Sequence, residues 1–238
     1  MAQREGEVVS LVPVEIRFEA TQRAGEVSAL LLRPEEARSL LVLAHGAGTG
    51  MRHTFMQAIA ERLATDGVAT FRYQFPYMEQ GSKRPDPLPI LLATVRSAVA
   101  AALEVAGDLP ILAGGKSMGG RMTSMAAAKA PLDSVRALVF LGFPLHAAGK
   151  PAVDRAEHLS QVTVPMLFLQ GTRDKLAELE LLRPVCTRLG ERATLHVIDG
   201  GDHSFHVLRR SGRSEGQVIA ELGQTIAGWA SRLDRHVG

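Results

Sequence analysis

An α/β fold with a mostly parallel central sheet of about seven or eight strands, and helices on both faces, is predicted by three features of this 238-residue chain. Short β-rich apolar runs alternate with stretches of helical period, the order that builds parallel sheets. The later runs are continuously apolar, as strands covered on both faces must be, whereas the first two alternate. No repeat, low-complexity segment or domain-sized linker interrupts the series. Residues 1–238 therefore read as one domain, with residues 1–13 as a poorly ordered or edge segment.

In chain order, VEIRF (from Val14) and VSALLL (from Val27) suit an antiparallel edge, and SLLVLAH (from Ser39) suits a buried strand. Phe55, Ile59 and Leu63 then share one helical face, and Gly67 stands where that helix should stop. VATFRY (from Val68) is the next strand, followed by QFPYMEQGSKRPDP (Gln74 to Pro87), which reads as a long loop. Asp86-Pro87 reads as a cap and first-turn proline for a helix with the stripe Leu88, Leu91, Leu92, Val95, Val99 and Leu103. PILAGG (from Pro110), RALVFLG (from Arg136), VPMLFLQG (from Val164) and TLHVID (from Thr194) continue the strands. Leu222, Ile226, Trp229 and Leu233 mark a final helix.

Composition narrows the function classes. Lys and Arg total 27 against 25 Asp and Glu, a formal net charge of +2, so neither nucleic acid nor an anionic membrane is indicated as a partner. The single cysteine, Cys186, excludes an internal disulfide, favours a reducing compartment, and reads as a packed thiol among Leu181, Leu182 and Leu189. The first residues lack the apolar core of a signal peptide, and no uninterrupted apolar run approaches the ~18 residues a membrane span needs. The expectation is a cytoplasmic chain.

Ligands of such sheets bind beyond the carboxyl ends of the strands. One loop placed there is GGKSMGG (Gly114 to Gly120), and it has two readings. As a phosphate-cradling loop it needs a glycine five residues before its Gly-Lys, where Pro110 stands instead. The dinucleotide fingerprint fails similarly in HGAGTGM, whose last required glycine is Met51. As a Gly-x-Ser-x-Gly turn between strand and helix, the segment passes every contextual test. Side chains two residues either side of the serine would collide with the neighbouring strand and helix, and Gly115 and Gly119 remove them.

A serine hydroxyl needs a base to become nucleophilic, and the base needs an orienting acid. LQGTRD places Asp174 beyond one buried strand and VIDGGDHSF places His203 beyond the next. The order Ser117, Asp174, His203 is the one this architecture expects. His206 is the rival base, while Asp199 and Asp202 lie too near His203 in sequence to orient it. Asp174 could instead cap a helix beginning near Leu176. An oxyanion hole is expected from the backbone N–H groups of Met118 and of Ala47, with Gly48 as the next choice. His45 reads as shaping its loop by hydrogen bonding, and His53 as a solvated helix start. Lys116 reads as a structural or solvated cation, and Arg121 as the partner of a salt bridge to a neighbouring loop.

These segments carry a resemblance. GGKSMGGR, HGAG and GDHSF resemble the α/β-hydrolase superfamily, in particular its small, nearly lidless serine hydrolases similar to dienelactone-hydrolase-like proteins. The likeness runs from about Val14 to the end of the chain. It implies an α/β-hydrolase fold with a minimal cap, because only a short segment separates Gly142 from Thr163. Dienelactone hydrolases proper resemble a cysteine-nucleophile version, so Ser117 separates this chain from that particular substrate.

The expected activity is hydrolysis of small or soluble carboxylic esters through an acyl-enzyme on Ser117, needing neither cofactor nor metal, with a small-molecule ester as partner. Tyr77, Phe143 and Met51 are candidate walls of the substrate site. Two alternatives stay open at this level: a catalytically idle fold used as a binding or scaffold module, and an acyltransferase using the same triad.

Overall fold

The computed structural model describes residues 12–233, so the expectation for residues 1–13 lies almost wholly outside the described residues. The strands are β1 (Val14–Thr21), β2 (Gly25–Leu32), β3 (Ser39–Ala44), β4 (Val68–Tyr73), β5 (Ile111–Lys116), β6 (Val135–Leu141), β7 (Met166–Gly171) and β8 (Ala193–Ile198). They form one eight-stranded sheet in the order β1-β2-β4-β3-β5-β6-β7-β8. β1 is antiparallel to β2 and β2 to β4, while all the later pairings are parallel. This is the α/β-hydrolase fold the sequence predicts.

The continuously apolar runs are explained by which side each residue faces. In β3, Leu40, Val42 and Ala44 enter one core while Leu41 and Leu43 enter the other. Helices α1 (Thr54–Thr65) and α6 (Glu215–Leu233) cover the second core. Helices α3 (Leu88–Ala106), α4 (Met118–Lys129) and α5 (Leu179–Leu189) cover the first. Gly67, at φ 79°, follows the end of α1 as expected.

Four local expectations are corrected. The Gln74–Pro87 loop contains a short helix, α2 (Pro76–Glu79), too brief to leave a periodic signature. β2 is not half-exposed: Ser28 to Leu30 are buried, because α2 and α1 pack over it. Asp86 does not cap α3, since its carboxylate accepts the Tyr77 N–H at 2.8 Å and Pro87 stands at the cap without a side-chain bond. Finally, α3, at 19 residues and mean hydropathy 1.7, is long and apolar enough to cross a membrane, although no uninterrupted apolar run signals it. Leu91, Val95, Ala98, Val99 and Ala102 on that helix are buried in the core against the sheet.

The strand order places the site. From β3 the chain goes to β4 on one side, and β5 lies on the other, so the loops after β3 and β5 diverge at a switch point. Ala44, the last residue of β3, is in register with Gly115. The His45–Gly48 loop and the Ser117 turn therefore emerge side by side.

Candidate active site

Ser117 joins β5 to α4 with φ 50° and ψ −114°, a strained conformation for a residue with a side chain. The glycines around it show why the turn can exist. A Cβ on Gly115 would stand 2.5 Å from the Ala44 carbonyl oxygen, and one on Gly119 would stand 2.5 Å from the same oxygen and 2.6 Å from that of His45. The Ser117 N–H is tied to the Leu141 carbonyl at 3.1 Å, and its own carbonyl accepts the Arg121 N–H at 3.1 Å. The backbone is fixed on both sides of the strained residue.

Asp174 and His203 converge on this turn. His203 Nε2 lies 2.8 Å from Ser117 Oγ, and His203 Nδ1 lies 2.7 Å from Asp174 Oδ2. The Asp174 carboxylate is fully buried but completely bonded: Oδ2 also accepts from Gln170 Nε2 at 2.5 Å, and Oδ1 accepts the Leu176 N–H at 2.8 Å. The helix-cap alternative for Asp174 is corrected: its Oδ1 holds only the turn at Leu176, and Glu178 stands at the cap of α5, while Oδ2 faces His203. α5 starts at Leu179, a little later than expected. Gln170, which no motif marked, is buried and also accepts the Phe143 N–H through Oε1 at 3.1 Å. It links the acid to the loop after β6.

The histidine loop is knitted by Asp202, which the sequence shows only as a competing acid. Its carboxylate accepts the N–H groups of Ser204 at 2.8 Å and His206 at 2.9 Å. Its backbone N–H donates to the His206 carbonyl and its carbonyl accepts from Phe205. His206 is exposed, 3.9 Å from Asp202 and 3.8 Å from Glu215, and has no bond to Ser117.

Beside the elbow, His45 is fully buried, and burial lowers its pKa to about 4, which leaves the ring neutral. Its Nδ1 bonds the Gly46 carbonyl at 2.7 Å, and Nε2 accepts the Phe75 N–H at 3.1 Å, so it shapes the loop as expected. Of the expected oxyanion donors, the N–H groups of Met118 and Ala47 make no hydrogen bond among the described residues. Gly48 is corrected: its N–H already donates to the Tyr77 hydroxyl at 3.2 Å.

Ser117, His203, Ala47 and Gly46 open onto a pocket of about 540 Å³ whose apolar walls are Phe55, Met56, Leu176, Phe205 and Ile219. His53 both lines it and caps α1 by accepting the Phe55 N–H at 3.3 Å. Tyr77, Phe143 and Met51, the expected walls, are all buried and lie outside this pocket. α2 folds Tyr77 inward against Phe75 and His45, and Phe143 packs on Phe140 and Phe168. The pocket opens instead between α1, the start of α6 and the histidine loop. A wider groove of about 980 Å³, lined by Arg38, Gly67 and Gln224 among others, lies at the amino ends of the strands and holds none of these residues.

Three remaining side chains complete the comparison. The Cys186 thiol is buried, and burial raises its pKa to about 11, as a packed thiol requires. The salt bridge expected of Arg121 is not formed among the described residues; its Nε is buried without a partner, and Arg155 adds a like charge nearby. Lys116 turns away from bulk solvent, its Nζ donating to the His203 carbonyl at 2.5 Å.

A doubly covered, mostly parallel sheet with a strained serine turn and a facing histidine defines the class as α/β hydrolases. The alpha/beta hydrolase domain family matches residues 37–231, and the chain belongs to that family. A Mycobacterium tuberculosis protein provisionally named as a phosphoribosyl transferase is 31% identical over 183 residues, 75% of this chain and 39% of that protein. The chain spans about two fifths of that relative's length. Among solved structures, dienelactone hydrolase from Anabaena variabilis superposes with TM-score 0.72 at 20% identity, covering 92% of this chain and 98% of the other. A serine hydrolase without lid from Xanthomonas campestris gives 0.70 at 16% identity, covering 94% and 98%.

Proposed function

We propose that this α/β-hydrolase-fold protein is a serine hydrolase, a carboxylesterase acting on small or soluble esters. The observation that carries the reading is the continuous hydrogen-bond chain from Ser117 Oγ through the His203 ring to the Asp174 carboxylate. In this reading the neutral imidazole accepts the Ser117 proton at Nε2 as Oγ attacks the acyl carbon. Asp174, fully bonded and buried, keeps the ring proton on Nδ1 and stabilises the imidazolium that forms. The free N–H groups of Met118 and Ala47 would receive the developing oxyanion, each worth about 2.7–4 kcal/mol to the transition state. Nε2–H then protonates the departing alcohol, and the same nitrogen deprotonates the water that releases the acid and restores Ser117.

The segment after β6 supports a preference for small or soluble esters. Its 3₁₀ turn (Asp154–Gln161) buries Ala156 and Leu159 and packs on α4. The esterase domain of a Rhodothermus marinus protein is among the similar folds. The transferase name of the mycobacterial relative belongs to a protein of which this chain matches 39%. In the one segment here that resembles a phosphate loop, the lysine binds the His203 carbonyl.

The test is labelling with a fluorophosphonate probe, wild type against Ser117→Ala, followed by a panel of nitrophenyl esters of increasing acyl length. The wild type should label and turn over short acyl esters, and the alanine variant should lose the label and at least about 10⁴-fold of kcat. A folded wild type that takes no label would overturn the reading and leave the fold as a binding module.

A further inference from the structure

The acyl chemistry proposed above gives Lys116 no task, yet its ammonium ends in the middle of the machinery. Lys116 is the last residue of β5, immediately before Ser117. Its side chain crosses from the strand bearing the nucleophile to the loop bearing the base, where Nζ donates to the His203 carbonyl at 2.5 Å. The same nitrogen lies 5.4 Å from the centroid of the Phe205 ring. A methyl group on Gly142, which stands at φ 70°, would come within 3.2 Å of Nζ, 3.4 Å of the His203 carbonyl and 3.6 Å of Asp174 Oδ2. The glycine, the base, the acid and the ammonium therefore share one small space.

We infer that Lys116 is a positioning residue, whose ammonium clamps the His203 carbonyl and so holds the imidazole between Ser117 and Asp174. The inference rests on the Ser117–His203–Asp174 reading. Among the described residues Lys116 forms no salt bridge; its hydrogen-bond acceptor is a carbonyl, backed by the face of Phe205. A buried cation with no direct ion pair is costly unless it is hydrogen-bonded, and here the bond that offsets the cost is the one to the His203 carbonyl. The two ends of this bond are 87 residues apart, so it ties together segments that sequence leaves independent. A charge-assisted bond of this kind is about twice as strong as a neutral one.

The clamp carries its own pH dependence. Burial lowers Lys116 to about 8, while Asp174 and Asp202 pull in the opposite direction. The ammonium is thus present at neutral pH and lost as pH climbs through that value, leaving a weaker, uncharged donor. The charged groups facing it are Asp174 from the loop after β7 and Asp202 and His203 from the loop after β8. The pocket adds His53 from the α1 side, and His206 and Glu215 toward α6.

Lys116→Met keeps length and apolar bulk while removing the donor. Its kcat should fall about 10- to 100-fold while KM, which the change can reach only through one of the many residues lining the pocket, moves by a smaller factor. The wild type should show a decline in kcat above about pH 8 that the methionine variant lacks. Lys116→Arg, which keeps a charged donor, should recover part of the loss. Wild-type kcat and an unchanged alkaline limb in the methionine variant would overturn the inference. If that variant fails to fold, the wild-type profile decides, and a flat profile through pH 8 sinks the clamp. Proton NMR of the His203 Nδ1–H provides a readout independent of turnover. A signal weakened by Lys116→Met supports the clamp even if the wild type takes no fluorophosphonate, an outcome that would remove only the esterase reading. A signal unmoved by the substitution removes the clamp.

Discussion

At the elbow, Ser117 holds φ 50° because Gly115 and Gly119 let the Ala44 and His45 carbonyls approach where side chains would stand. In the facing loop, Phe205 holds φ 65°, and what fixes it is added rather than missing. Asp202 bonds the N–H groups on either side of it, Phe205 stacks on Phe55 with centroids 5.7 Å apart, and Lys116 holds the His203 carbonyl. Each strained residue costs on the order of 1–3 kcal/mol and persists only because its surroundings over-determine it. A sterically locked turn has no partial state: a methyl group either fits or displaces the backbone. A loop locked by hydrogen bonds loosens by degrees, and where the bonds are ionic it loosens with pH.

Gly119→Ala breaks the first kind of lock and should have the largest effect. Its Cβ would lie 2.5 Å from one backbone oxygen and 2.6 Å from another, neither of which can rotate away. Overpacking of this kind costs about 1–3 kcal/mol, and a shift of the elbow by an ångström costs about 10²-fold in rate. Thermal unfolding and fluorophosphonate labelling should fall together. A variant that melts and labels like wild type would show that the glycine is not what holds the turn.

Asp202→Ala tests the second kind of lock and should be milder. It leaves two backbone N–H groups without their acceptor on an exposed loop, where water replaces it, so about 1–2 kcal/mol is lost. We expect kcat to fall about tenfold with KM little changed, and melting to shift by a few degrees. Loss as large as that of Gly119→Ala would make the two locks equivalent and dissolve the contrast.

The same contrast explains what could be read from the sequence. The sheet, its antiparallel edge and both helical layers were legible because burial on two faces imposes a pattern over whole segments, as in β3 and α3. The elbow was legible because a steric lock is written into five consecutive residues. Asp174 and His203 followed from their places after β7 and β8. The added lock was not legible: the direction of Lys116 depends on a carbonyl 87 residues away, and Gln170 touches Asp174 only once β7 is in place. α2 is illegible for a different reason, since four residues are too few to show a period, and it is α2 that turns Tyr77 inward; Phe143 is buried separately, by packing on Phe140 and Phe168.

Tyr77 offers the finest distinction, because its hydroxyl meets the His45–Gly48 loop without reaching the pocket. It is 2% exposed, lies 6.0 Å from the His45 ring between centroids, and accepts the Gly48 N–H. In Tyr77→Phe the ring still packs, and the freed N–H belongs to an exposed glycine that water can reach. Stability should therefore change by only about 0.5–1 kcal/mol, and the ratio of kcat/KM between short and long acyl esters should stay within about twofold. A preference altered by tenfold would return Tyr77 to the substrate wall. An increase in kcat would carry a different meaning: the Gly48 N–H, once released from the phenol, would be competing with Ala47 for the oxyanion, and the hydroxyl would be what keeps the weaker donor out of the reaction.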